Sequence, residues 1–68
     1  MSYIQNETIT DTSTYHADQI IVGSCVTSLK PTGPVTVTSG KTMLIGDIIE
    51  LDGEITINLG ASIEIKNQ

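Results

Sequence analysis

The chain has 68 residues, eight acidic and three basic side chains, a net charge of −5 and a pI near 4.3. That acidity argues against nucleic-acid binding and basic membrane-surface attachment, and no apolar run approaches the ~20 residues of a membrane-spanning helix. Ile, Val and Thr supply 25 of the 68 residues while Phe and Trp are absent, a bias toward side chains that fit a pleated, half-buried surface.

In chain order, Met1-Ser2-Tyr3 leads into polar residues, so no signal peptide is read there, and Ser2 to Glu7 reads as a polar cap. Short candidate strands follow at Thr8-Ile9-Thr10, Thr14-Tyr15-His16 and Ala17 to Gly23. Val26-Thr27-Ser28-Leu29 is the next. Lys30-Pro31-Thr32-Gly33-Pro34 reads as a protruding loop, because two prolines forbid a regular strand interior. Beyond it, alternation of apolar and polar residues is nearly continuous: Val35-Thr36-Val37, Met43-Leu44-Ile45, Ile48 to Leu51, Ile55-Thr56-Ile57 and Ile63-Glu64-Ile65. Period-two alternation is the mark of strands, and no stretch keeps helical spacing. The chain reads as all-β.

Gly40, Gly46, Gly53 and Gly60 fall six, seven and seven residues apart, which places a corner after each short strand. Three windows then align: Ala17 to Gly23, Gly40 to Gly46, and Gly60 to Lys66, offset by 23 and 20 residues. Such a period indicates a stacked coil. The predicted fold is a short three-rung β-solenoid, a triangular β-helix of about 20 residues per rung, with rungs near 4–23, 24–46 and 47–66. Its inward columns are predicted as Ile20/Met43/Ile63, Val22/Ile45/Ile65, Tyr15/Val37/Ile57 and Leu29/Leu51. A narrow interior of this kind accounts for the missing wide rings.

Little catalytic chemistry is legible. Cys25 is alone, so it can form no internal disulfide, and nothing sets a base beside it. Asp47, Glu50, Asp52, Glu54 and Glu64 could be read as calcium ligands, but they alternate with apolar residues as a solvated outer face does. His16, Asp18 and Cys25 are too few for a closed zinc site. A threonine ladder of Thr36, Thr38, Thr56 and Thr42 reads as an outer face of good β-formers. No catalytic, cofactor-binding or metal-ligating residue is assigned, and no cofactor, nucleic acid or small-molecule ligand is expected.

Val35-Thr36-Val37-Thr38-Ser39-Gly40-Lys41-Thr42-Met43, then Ile49-Glu50-Leu51, then Gly60-Ala61-Ser62-Ile63-Glu64-Ile65 resembles the 3-coathanger stack domain of Bacteroidetes-type surface and secreted proteins. The resemblance covers about Ile20 to Ile65. It departs where the family often carries Pro-Gly-Phe, since this chain has Asp52-Gly53-Glu54-Ile55, and it lacks the aromatic near the end. The resemblance implies a non-enzymatic structural or spacer module at the cell surface or outside the cell. Its expected partners are other domains of a larger surface protein or copies of itself. A glycan- or protein-binding module using a flat face and the 30–34 loop is the alternative, and an end-to-end self-assembling unit a further one.

Overall fold

A computed structural model describes residues 1–68. Nine strands follow in order: β1 (Ser2–Ile4), β2 (Thr8–Ile9), β3 (Ser13–His16), β4 (Gln19–Gly23), β5 (Val35–Val37), β6 (Lys41–Ile45), β7 (Ile48–Asp52), β8 (Ile55–Ile57) and β9 (Ser62–Lys66). They form three parallel three-stranded sheets ordered β1-β4-β7, β2-β5-β8 and β3-β6-β9. Every third strand returns to the same sheet, so the chain is a three-rung β-solenoid with one sheet on each side. The extents are 29 × 27 × 15 Å, the shortest being close to the height of three rungs spaced about 4.8 Å apart.

The register identifies the inward columns. They are Ser2/Ile20/Ile49 and Ile4/Val22/Leu51 on the first side, Val35/Ile55 and Ile9/Val37/Ile57 on the second, and Ser13/Thr42/Ile63 and Tyr15/Leu44/Ile65 on the third. The middle rung is sandwiched on both sides, so Ile20, Val22, Val35, Val37 and Leu44 are all buried. Full burial of each such side chain is worth about 1.5–3 kcal/mol.

This register corrects the sequence reading in four places. The rungs run 2–16, 19–45 and 48–66, so Ala17 to Gly23 lies beside Ile48 to Asp52 and does not align with Gly40 to Gly46. Met43 and Ile45 point outward, while Thr42 and Leu44 fill the interior between them. Tyr15 stacks over Leu44 and Ile65, and Ile9 takes the place above Val37 and Ile57. Val26 to Leu29 is not a strand but part of a loop over residues 24–34, where Leu29 is 82% exposed. The loop is therefore longer than its two prolines suggested.

The corners use two devices. Gly40, Gly53 and Gly60 adopt positive φ, which spares the Cβ clash that an L side chain would meet. Gly46 serves a close approach: a Cβ there would lie 2.5 Å from the Ala17 carbonyl oxygen.

One interior position is polar and unpaired. Thr42 is buried beneath Ser13 and above Ile63, and its hydroxyl has no hydrogen-bond partner. An orphaned buried hydroxyl costs about 1–3 kcal/mol. Thr42→Val keeps the shape and removes that cost, so thermal denaturation is expected to show a gain of about 1 kcal/mol, roughly 4–8 °C in a domain this small. A loss of stability would show that the hydroxyl is bonded in solution.

Candidate functional site: the two ends of the coil

A solenoid has two end faces, and here they differ in chemistry. At the N-terminal end, Tyr15 points inward from β3 over Leu44. Its hydroxyl crosses to the corner between β1 and β2 and donates to Glu7 Oε2 at 3.3 Å. Asn6, with φ of 54°, turns that corner, as Asn does more readily than most residues. Lys30 Nζ then reaches Glu7 Oε1 at 3.3 Å and the Tyr3 carbonyl oxygen at 2.6 Å. Ring, carboxylate and ammonium thus tie one side of the first rung to the opposite corner.

Gln5 anchors the 24–34 loop on the same corner. Its buried amide donates through Nε2 to the carbonyls of Thr27 (3.1 Å), Lys30 (3.0 Å) and Pro31 (3.1 Å). Its Oε1 accepts from the backbone N–H groups of Val26 and Thr27. The Asn6 N–H donates to the Gly33 carbonyl, and the Gly33 N–H donates to that of Ser24. One side chain therefore meets backbone groups at five points of a loop that has no sheet to pair with, its two N–H groups shared among three carbonyls.

The C-terminal end has no equivalent. In the inward columns where Ile4 and Ile9 are 1% and 7% exposed, Leu51 and Ile57 are 54% and 47% exposed, and Ile65, below Tyr15 and Leu44, is 52% exposed. β7, β8 and β9 each have a single hydrogen-bonded neighbour, as β1, β2 and β3 do at the other end. Both ends therefore present free N–H and C=O groups, and it is the exposure of the inward side chains that sets them apart. The charges of this rung sit on its outer face. Glu64 lies between Lys41 Nζ (3.2 Å) and Lys66 Nζ (3.6 Å), and the hydrogen bond and charge of Lys41, with help from Lys66, hold its carboxyl below the usual range.

The phenol of Tyr15 is pushed above its ordinary value of 10, first by burial and then by the Glu7 carboxylate beside it. A folded-state pKa raised above the unfolded one contributes stability below the unfolded value, and that contribution is lost as pH rises through the folded value. Stability is therefore expected to fall above pH 10 as the phenolate forms against Glu7. Tyr15→Phe should flatten that alkaline loss in pH-dependent denaturation; an identical loss in the variant would assign it elsewhere.

The other residues singled out from sequence are placed as follows. Asp47, Glu50, Asp52, Glu54 and Glu64 are spread along the third rung, and no three His, Cys, Asp or Glu side chains converge tightly enough to hold an ion. His16 Nε2 lies 2.8 Å from Gln68 Oε1, while Gln68 Nε2 donates to Asp18 (2.9 Å) and Asp47 (3.2 Å), so the C-terminal residue bridges one corner. Cys25 is exposed on the loop at another corner. Thr36 and Thr56 stack with Thr8 on the outer face of the second sheet. The Thr38 hydroxyl donates to the Ile9 carbonyl, and Thr42 leaves the ladder for the interior. The polar cap expected over Ser2 to Glu7 is in part a strand, Ser2–Ile4, and Gln5 to Glu7 tie the 24–34 loop to the corner that follows it.

The chain matches no protein-family model, and searches among curated proteins and solved structures find no match either.

Proposed function

We propose that the chain is a non-enzymatic structural module, a three-rung spacer in an extracellular or cell-surface protein. The resemblance of Val35 to Met43, Ile49 to Leu51 and Gly60 to Ile65 to the 3-coathanger stack domain supports the setting. The observation that carries the structural reading is the use of Gln5: the most heavily hydrogen-bonded buried side chain binds only the chain's own backbone. Polar chemistry is committed to closing an end and not to a cleft. The alternative, a binding module, is favoured by one feature, a shallow open depression on the loop lined by Cys25, Val26, Thr27, Lys30, Pro31 and Thr32. A glycan array probed with the purified chain separates the two. A spacer gives no saturable binding; saturable binding that disappears when residues 30–34 are replaced by Gly and Ser would establish the binding module instead.

A further inference from the structure

The open end of the third rung matches itself under a two-fold rotation. β7, β8 and β9 contain five, three and five residues, so two equal sides flank a short one. Rotating a second copy about an axis through Thr56 and the opposite corner lays β8 antiparallel on β8 and β7 antiparallel on β9. Ile55 then faces the second copy's Ile57, Ile49 its Ile65, and Leu51 its Ile63. Every inward apolar residue of the rung meets another. On the outer face Thr56 meets Thr56, Asp52 meets Ser62, Ile48 meets Lys66 and Glu50 meets Glu64.

We propose that this end is a homodimer interface at which two chains join tail to tail into a six-rung coil. Antiparallel pairing would satisfy the free edge groups of β7, β8 and β9 while covering Leu51, Ile57 and Ile65. The area suffices for a weak dimer. With lateral extents of 29 × 27 Å, each triangular face covers on the order of 400 Å², and the two together about 800 Å², the size of a weak interface seen at high concentration. The opposite end has free strand edges of its own, but its inward Ile4 and Ile9 are buried, so it offers no matching apolar face and association is expected to stop at two chains. The one kind of like-charge contact, Glu50 against Glu64, made twice by the symmetry, has the two lysines of Glu64 beside it, and Lys66 is diagonal to Glu50 across the joint.

This deepens the structural reading, on which it rests, and it is tested separately. Sedimentation of the full chain from micromolar to millimolar concentration is expected to show a shift from 7.2 kDa to twice that mass and no further. Ile65→Lys should leave a monomer at every concentration. Glu50→Lys replaces two repulsive contacts by two attractive ones and should tighten the dimer about tenfold. Asp11→Lys, the same charge change near the closed end, should not. If Ile65→Lys fails to fold, the Glu50→Lys and Asp11→Lys comparison decides. A chain monomeric throughout, open-ended polymers, or equal effects of the two lysine substitutions would overturn the proposal. A monomer that also binds no glycan would remove the dimer alone and leave the spacer standing.

Discussion

Gln5→Ala is expected to destabilise the chain by about 2–4 kcal/mol and to release the 24–34 loop. The alanine leaves the N–H groups of Val26 and Thr27 and the carbonyls of Thr27, Lys30 and Pro31 without their partner. Five full penalties do not add, because a loosened loop lets water reach several of these groups. What remains is still large for a chain whose whole stability is roughly 3–10 kcal/mol at 0.05–0.15 kcal/mol per residue. Gln5→Glu discriminates the mechanism. A carboxylate can accept from the two N–H groups but presents only lone pairs to three carbonyls, so near neutral pH it should cost as much as alanine. Urea denaturation reads the stability, and amide exchange at Val26 and Thr27 reads the loop. Unchanged exchange at those two amides in the alanine variant would mean that the loop is held by something else.

Gly23→Ala is expected to cost about 3 kcal/mol or more, the other large effect. Gly23 ends β4 opposite Asp52. A Cβ there would stand 2.1 Å from the Asp52 carbonyl oxygen, 2.9 Å from its carbon and 2.7 Å from Val26 Cγ1. Two of those atoms belong to the backbone of the next rung and cannot swing aside, so β4 and β7 must part at that corner. Overpacking of this kind commonly costs about 1–3 kcal/mol, and backbone obstruction lies at the upper end. Gly60→Ala supplies the contrast. Nothing lies within 4 Å of its Cβ, and only its φ of 90° resists the change, at about 1–2 kcal/mol. Thermal or urea denaturation of both variants should rank them with Gly23→Ala the less stable; the reverse order would show that rungs two and three do not approach at Gly23.

Much of this was legible in the sequence, and the failures have physical causes. Alternation and glycine spacing sufficed for the all-β, three-rung coil, and from Val35 onward the second and third sides pair in the expected order. Parity failed at Met43-Leu44-Ile45, where three consecutive apolar residues leave the inward face undecided. The inward choice fell to Thr42 and Leu44 because Ser13 and Tyr15 lie above them and Ile63 and Ile65 below. Phase failed in the first rung, since β3 supplies no aliphatic inward residue and the window ending at Gly23 mimics the one ending at Gly46. Gln5 carried no local signal at all: its partners lie 21 to 26 residues away.

The two ends also explain how an acidic chain with few aromatics is built. Both of its tyrosines, one of its three lysines and its only deeply buried amide are concentrated at the N-terminal end. The inward positions of the third rung are filled by aliphatic residues alone, and these complete the columns below the core.

The asymmetry of the two ends is tested most directly by methyl NMR with a soluble paramagnetic relaxation agent, recorded on the dilute, monomeric chain. Ile4 and Ile9 belong to the first rung and share columns with Leu51 and Ile57 of the third, while Ile65 of the third lies below Tyr15 and Leu44. The expected result is strong relaxation of the Leu51, Ile57 and Ile65 methyl groups, with those of Ile4 and Ile9 as protected as Val37 and Leu44 of the middle rung. Equal relaxation of the Ile9 and Ile57 methyl groups would contradict a coil closed at one end and open at the other.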